Sequence, residues 1–266
     1  MQSDLVEWRV SVPRAYTIRA LSTAIASPVR ALPPMEHCVS DSLQNWQPRP
    51  RPARETREGR YVRLEPLDPA RHGDELYVAS SVPDAAERFA WLFEDAPESR
   101  AAFQPWLERV AASEDPLFFA AIDKASGVVA GRQTLMRIDP THGVIEIGSI
   151  YWGPQIARRP AATEAQYLFM KYAFETLGYR RYEWKCNDRN GPSKRAAERF
   201  GFKFEGLFRN HMVAKGENRD TAWFSVIASE WPTLRQAYEA WLDPANFDAD
   251  GEQKRRLEEV RANFGA

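Results

Sequence analysis

The sequence has 266 residues, of which 44% are hydrophobic and 27% are charged, and its formal net charge is −1 at pH 7. This composition is ordinary for a soluble globular protein, and the length suits one sizeable α/β domain or two small ones. The near-neutral charge predicts no nucleic-acid partner.

Metal, disulfide and membrane features are also absent from the sequence. Two cysteines, Cys38 and Cys186, are too few for a disulfide framework or a cysteine zinc site. The histidines show no metal-ligand spacing, so no metal is expected. They are His37, His72, His142 and His211. No apolar run is long enough to cross a bilayer, so we expect a cytoplasmic protein with no membrane partner.

Residues 1–58 differ from the rest of the chain. Residues 8–35 contain four arginines and no acidic residue. That pattern fits an organelle transit peptide, which would place the protein in an organelle. The alternative is an upstream extension with Met35 as the working start, which we favour because nothing else in the sequence points to an organelle. The Pro/Arg-rich segment 46–52 should be extended and solvated, so residues 1–58 are expected to be a poorly ordered extension and linker.

The central part of the chain predicts strands before and after a group of helices. Residues 61–67 alternate apolar and polar side chains as a strand does. Asp68 and Pro69 form an N-cap and first helical position for a helix that ends near Ala79. Two more helical stretches follow, one after Asp84 and one around 103–110. Further strands are predicted at 117–122, 128–138 and 144–152.

The later part changes to a strand and helix alternation. Helices are predicted at 161–177 and 192–200, each ended by a glycine. Strands are predicted at 181–186, 202–213 and 221–227, and two more helices at 230–242 and 251–263. The fold class is therefore mixed α/β, with a mixed, mostly antiparallel central sheet, helices on both faces and extra C-terminal helices. We assign residues 59–228 to one domain and 229–266 to a helical extension.

The turn at 153–159 joins the strand 144–152 to a helix with Pro160 near its first position. A helix N-terminus presents free N–H groups and the positive end of the helix dipole, so it suits phosphate. Arg158 and Arg159 add two cations there. Taken alone, this turn leaves two interpretations equally open: a phosphate site, or a plain turn with two solvated arginines.

A second motif lies on the next strand–helix–strand unit. Asn190 stands before the predicted helix 192–200, Ser193 lies in its first turn, and Gly201 and Phe202 follow it. Singly, Asn190 fits an ordinary N-cap and Ser193 an ordinary first-turn residue. Together, the pattern resembles the GNAT superfamily of acyl-CoA N-acyltransferases, nearest the ribosomal-protein N-terminal alanine acetyltransferases. The resemblance covers roughly residues 61–227.

The first motif of that family normally reads Gly-x-Gly-x-Ala-Thr-Glu-Ala. Residues 162–165 match its second half, whereas Arg158 and Pro160 replace the two glycines. Glycine allows positive φ and a close approach to pyrophosphate, and proline lacks an N–H, although it suits the start of a helix. We predict that coenzyme A still binds, held more by side chains than is usual. The expected pyrophosphate ligands are Arg158, Arg159 and the N–H groups of Ala161, Ala162 and Thr163.

The resemblance implies direct transfer of an acetyl group from acetyl-CoA, as co-substrate, to a primary amine. Glu146 matches the place of a glutamate base that often acts through water, and a salt-bridged or exposed strand residue is the equal alternative. Ser193 matches the group that protonates the leaving thiolate, and Asn190 is expected to bond the pantetheine amides. The backbone expected to pair with the pantetheine arm belongs to Ile150, Tyr151 and Trp152.

The acceptor side is less defined by the sequence. His211 follows the glycine-ended helix on a strand and is a candidate substrate contact or second base, although an ordinary polar strand residue is the more common case. Trp91 is a candidate wall of the acceptor pocket, although aromatics with helical spacing are usually core. The acceptor is a small molecule or a protein N-terminus, and the protein a monomer or homodimer. A non-catalytic binding module with a degraded cofactor turn is the alternative function.

Overall fold

The computed structural model describes residues 43–249 and 251–265. The Arg-rich N-terminal segment, with its two interpretations and the candidate start Met35, lies outside these residues. From Trp46 onward the chain forms one compact unit. Within the described residues, no helix has the length and apolarity that a bilayer span needs. Nor do these residues contain a cluster of three or more side chains suited to hold a metal ion.

Eight strands of the described residues form one sheet, in the order β1-β2-β3-β4-β5-β6-β8-β7. Their bounds are β1 Arg57–Glu58, β2 Val62–Pro66, β3 Leu117–Asp123, β4 Val129–Asp139, β5 Val144–Trp152, β6 Arg181–Asn187, β7 Lys203–Ala214 and β8 Glu217–Ile227. Only β5 and β6 pair in parallel, and the other neighbours are antiparallel. The predicted mixed, mostly antiparallel sheet is confirmed.

The described residues contain seven α-helices, and polar side chains cap the start of several of them. They are α1 Pro69–Ser80, α2 Ala85–Phe89, α3 Arg100–Ala112, α4 Pro160–Lys171, α5 Gly191–Arg199, α6 Trp231–Trp241 and α7 Leu257–Phe264. The Asp68 carboxylate accepts N–H bonds at the start of α1, and the Asn190 side chain does so for α5. The predicted helix 161–177 is divided, because α4 is followed by a π-helical turn at Tyr172–Thr176.

The sheet separates two apolar clusters, one on each face. Alternate side chains of β3 show the division, since Phe119 lies in the larger cluster and Phe118 in the smaller. Side chains of α4, α6 and α7 contribute to the larger cluster, and those of α1 and α3 to the smaller. On the face of the smaller cluster, β5, β6 and β8 carry the polar residues Glu146, Lys185 and Thr221. We call this half of the sheet the polar face.

The Pro/Arg-rich linker lies differently from the sequence interpretation. Residues 46–58 are largely exposed but run along the domain, since Trp46 Nε1 donates to the Thr141 carbonyl at 2.7 Å and the Arg49 N–H to the Pro140 carbonyl at 2.9 Å. An extended main chain has free N–H and C=O groups, and here the domain supplies partners for them. In the C-terminal extension, α7 buries Leu257 and Val260 in the larger apolar cluster.

A buried carboxylate joins the start of the domain to α4. Glu164, in the first half of α4, accepts the N–H groups of Arg60 at 2.7 Å, Tyr61 at 2.6 Å and Val62 at 2.9 Å. Three N–H donors satisfy the charge without a cationic side chain. The glutamate of the Ala-Thr-Glu-Ala sequence therefore fixes the beginning of β2 against α4.

Replacing Glu164 by glutamine tests this attachment. The amide has one oxygen where the carboxylate has two, and its NH2 group faces backbone N–H donors, so buried groups lose their partners. We expect Glu164→Gln to lower the free energy of unfolding by about 2–4 kcal/mol in urea denaturation. Glu198→Gln, at an exposed position of α5, is the control and should stay within about 0.5 kcal/mol. Equal effects in both variants would contradict the assignment.

Candidate active site

The parallel strands β5 and β6 separate halfway along their length. Their pairing runs from Val144 opposite Arg181 to Ile147 opposite Trp184 and then stops. On its other side β5 stays paired with β4, through a bulge that gives β5 one extra residue. Ser149, within this bulge, has a φ of 47°. No strand of the described residues therefore covers the β6 side of residues 148–152.

Arg132 of β4 contacts the bulge through its side chain. Its buried guanidinium donates to the Ser149 carbonyl and forms an ion pair with Glu94, in the segment before α3. It also lies over the Trp106 ring, 4.8 Å from the ring centre. One side chain thus connects the bulge to the segment that carries Trp91 and Phe93.

A cavity of about 800 Å³ follows the opening between β5 and β6. It brings together most of the residues singled out in the sequence. These are Trp91, Glu146, Ile150, Tyr151, Trp152, Arg158, Ala162, Thr163, Asn190, Ser193 and His211. Arg159 and Ala161 do not line it. Arg159 is the exposed N-cap residue of α4, and Ala161 packs into the larger apolar cluster.

The altered turn keeps a glycine-like backbone. Arg158 has a φ of 64°, in the left-handed region that glycine adopts without cost. For a residue with a Cβ this conformation costs roughly 1–2 kcal/mol. Of the N–H groups expected to be free at the start of α4, that of Ala162 instead donates to the Arg159 carbonyl at 3.2 Å. The tight first turn uses this donor internally, so the Arg158 side chain gains importance in any anion site there.

Glu146 is buried on the polar face, with 4% of its surface exposed. Its Oε2 atom lies 2.7 Å from Lys185 Nζ and 3.0 Å from Arg137 Nε. Burial raises the pKa of Glu146, and the positive charges of Lys185 and Arg137 offset only part of that rise. The contacts of Glu146 are therefore those of the salt-bridged alternative considered from the sequence. Its raised pKa is closer to that of a group that acts as a base at neutral pH.

Lys185 also pairs with Glu183, whose Oε2 atom lies 2.6 Å from Nζ. Although burial acts to raise the pKa of Glu183, hydrogen bonds from Lys185 and Arg181 hold it below the usual value. The ammonium group further lies 3.7 Å from the centre of the Trp223 ring. One buried cation is thus shared between two carboxylates on neighbouring strands.

Ser193 and Asn190 lie at the start of α5, beside the opening. The Asn190 Oδ1 atom accepts the Ser193 N–H at 3.0 Å, so Asn190 is the N-cap. Its NH2 group is not used in that bond. Ser193 Oγ accepts from Trp184 Nε1 at 3.0 Å. Burial raises the pKa of the neighbouring Cys186 thiol, and a hydrogen bond with the Ser193 side chain offsets part of that rise.

His211 and Trp91 lie toward the other end of the cavity. The Nδ1 atom of His211 is 2.9 Å from Thr221 Oγ1. Burial lowers the pKa of His211, and the charges of Arg137, Arg219 and Lys185 lower it further, so the imidazole is neutral at pH 7. Trp91 is exposed rather than part of the core.

The sequence interpretation missed most of the charge that lines the cavity. The cations of the lining are Arg88, Arg137, Arg158, Lys185, Arg199 and Arg219, and the carboxylates are Glu87 and Glu146. Arg199 donates to Thr163 Oγ1 at 3.0 Å, at the α4 end. Along β8, Thr221 and Ser225 alternate with the apolar Ala222, Phe224 and Val226, and this period of two, extended back to Arg219, was the available signal for it.

Removing the shared cation should destabilise the domain in a pH-dependent way. In Lys185→Met, Glu146 and Glu183 lose their common partner, and we expect a loss of roughly 3–5 kcal/mol at pH 8. Without Lys185 both folded-state pKa values rise, and a carboxyl group with a raised folded pKa destabilises the protein as pH increases through that pKa. The loss should therefore be smaller at pH 5. Urea denaturation at both pH values measures it, with exposed Lys203→Met as control. A deficit independent of pH would contradict the shared-cation account.

Comparison with known proteins agrees with this architecture. The family model described as the acetyltransferase (GNAT) domain matches residues 62–203. A crystal structure of a GCN5-related N-acetyltransferase from Brucella melitensis is 70% identical, with a TM-score of 0.82, and the match covers 83% of this chain and all of that one.

Two curated bacterial proteins match over shorter regions. "Uncharacterized N-acetyltransferase p20" of Bacillus licheniformis is 32% identical over 117 residues, which cover 42% of this chain and 63% of p20. YdaF of Bacillus subtilis (strain 168) is 29% identical over 106 residues, which cover 40% of this chain and 57% of YdaF. Its name assigns YdaF provisionally to the ribosomal N-acetyltransferases. The matches thus span less than two thirds of these two relatives. The family-model match covers more than half of the chain, and with the separated strands, the capped α5 and the cavity between them it shows that this protein belongs to the GNAT acetyltransferase family.

Proposed function

We propose that the protein transfers an acetyl group from acetyl-CoA directly to a primary amine. The observation that carries this proposal is the unpaired edge of β5 at residues 148–152, which faces a cavity with an anion-binding helix start at one end and two potential bases at the other. An extended ligand that carries amide groups can pair with such an edge as an additional strand would. The pantetheine arm of coenzyme A is a ligand of this kind.

The α4 end of the cavity suits the phosphates of the cofactor. Arg158 lies in the turn, and Arg199 lies beside Thr163 in the first turns of α4. Guanidinium groups near a helix N-terminus bind phosphate oxygens through charge-assisted hydrogen bonds. In this proposal Arg158 and the Thr163 region hold the pyrophosphate, Asn190 bonds a pantetheine amide, and Arg159 contributes only long-range charge.

The reaction requires that a C–N bond forms while the thioester C–S bond breaks. The acceptor ammonium must first lose a proton, which Glu146 takes through an intervening water. A backbone N–H of β5 near Ile150 stabilises the negative charge that develops on the acyl oxygen. Ser193 then donates its hydroxyl proton to the departing thiolate and regains a proton from the nitrogen of the new amide bond, which loses its remaining extra proton. Each of these groups lines the same cavity.

His211 is the second candidate for the base. Its lowered pKa keeps it able to accept a proton at pH 7, whereas Glu146 is engaged by two cations. Direct comparison of variants distinguishes the two groups.

A non-catalytic binding module is the weaker proposal. It depended on a cofactor turn degraded by the loss of glycine, but Arg158 adopts the positive φ that glycine would supply. The left-handed backbone at position 158 is therefore retained, and the arginine adds a cation to the turn.

The role of Glu146 is tested by Glu146→Gln. If Glu146 is the base, kcat at pH 7 should fall by about 10²–10³-fold, with little change in the affinity for acetyl-CoA. The acid limb of the pH–rate profile should also disappear. Thiol release with an amine acceptor measures the rate, and calorimetry measures the affinity.

Glu183→Gln is the matched control, because it removes the other carboxylate of Lys185 at a position outside the cavity lining. Its rate should remain within about threefold of wild type. If the acid limb instead survives in Glu146→Gln and disappears in His211→Asn, His211 is the base.

The double variant Arg158→Ala/Arg159→Ala tests the cofactor site. Loss of the cation at the turn should weaken acetyl-CoA binding by about 10–100-fold, since each charge-assisted bond contributes about 1.5–3 kcal/mol. Calorimetric titration with acetyl-CoA gives the dissociation constants. Lys203→Ala/Arg235→Ala removes the same charge from surface sites of β7 and α6 and should bind as wild type does. Absence of acetyl-CoA binding by the wild-type protein would refute the proposed function.

A further inference from the structure

Arg219 is a buried cation without an ionic partner. Only 8% of its surface is exposed, yet it lines the cavity. Within the described residues no carboxylate forms an ion pair with it, and its Nε atom has no hydrogen-bond partner. Its ring contact is with Phe93, whose centre lies 5.0 Å from the guanidinium carbon.

The neighbouring charges do not compensate Arg219. Glu146 is the carboxylate of this end of the cavity, and it is already bonded by Lys185 and Arg137. Lys185 is also paired with Glu183. Holding an unpaired guanidinium away from water costs several kcal/mol, which a bound anion would offset.

The position of Arg219 separates it from the cofactor phosphates. It lies on β8 opposite Met212 of β7, two residues from Thr221, which bonds His211. Arg158 and Arg199 lie instead with the first turns of α4. The cavity thus has one cationic end for the cofactor and a second one beside the two candidate bases.

We propose that the acceptor is a primary amine that also carries an anionic group, a carboxylate or a phosphate, and that Arg219 binds this group. The inference rests on the proposed acetyl transfer. The planar guanidinium can donate two parallel hydrogen bonds to either anion. With the anion fixed at Arg219, the amine at the other end of the molecule is directed toward Glu146 and the β5 edge.

Matched amines test the proposal in the wild-type protein. One series contains ω-amino carboxylic acids of increasing chain length with the corresponding ω-amino amides, and another contains aminoalkyl phosphates with the corresponding amino alcohols. We expect kcat/KM for the best anionic amine to exceed that of its neutral counterpart by at least about 10-fold, equivalent to 1.4 kcal/mol. The series that shows this preference identifies the anion.

Variants then assign the preference to Arg219. Arg219→Met should reduce kcat/KM for the anionic amine to the level of the neutral one, while the acetyl-CoA dissociation constant stays the same. Arg219→Lys keeps the charge without the planar fork and should retain part of the preference. Arg235→Met, on the surface of α6, is the control and should behave as wild type.

A binding measurement covers the case in which no tested amine is a good acceptor. With the cofactor site saturated by coenzyme A, the anionic amines should raise the melting temperature of wild type but not of Arg219→Met. Equal use of charged and neutral amines, or no stabilisation by any anionic amine, would overturn the inference and leave the proposed transfer intact. Failure to bind acetyl-CoA would instead refute the transfer itself.

Discussion

The separation of β5 from β6 is the constraint on which the site depends. Two parallel strands normally form backbone hydrogen bonds with each other along their whole length, but here the pairing ends after Ile147 and Trp184. The bulge at Ser149 turns β5 away, and Arg132 bonds the displaced carbonyl. The helix α5, capped by Asn190, begins beside the gap. The unpaired N–H and C=O groups along this edge of β5 would destabilise the fold if they were buried without partners, and here they face the cavity, where a ligand can bond them.

The distribution of helices explains why this region is also charged. On the face of the smaller apolar cluster, α1 and α3 cover the side of the sheet formed by β3 and β4. The polar face beside them is left to Glu146, Lys185 and their neighbours. Because these groups are nevertheless largely buried, each needs a partner, and the arrangement divides one ammonium between two carboxylates. Glu146, Glu183 and Lys185 therefore each have a partner of opposite charge. Arg219 has none among the described residues, and it is for that reason the candidate to bind an anionic ligand.

Local sequence signals predicted the scaffold well. The bounds of β5 were obtained from its apolar run, and the start of α5 from Asn190, because strand alternation and helix capping depend on residues close in the chain. The positive φ of Arg158 was not predictable, since an arginine gives no local reason for it. The hydrogen-bond partners of Glu164 and the lack of an ionic partner at Arg219 depend on how distant parts of the chain pack, which periodicity does not show. The course of residues 46–58 along the domain has the same cause.

The contacts of Arg132 with Glu94 and Ser149 bear on whether the binding of one ligand changes the affinity for another. A molecule that shifts the segment around Trp91 and Phe93 also acts on the carbonyl that shapes the β5 edge. Binding free energies coupled in this way are reciprocal, so if acetyl-CoA tightens the acceptor by some factor, the acceptor must tighten acetyl-CoA by the same factor. Arg132 is thus a direct structural link between the segment that carries Trp91 and the edge of β5.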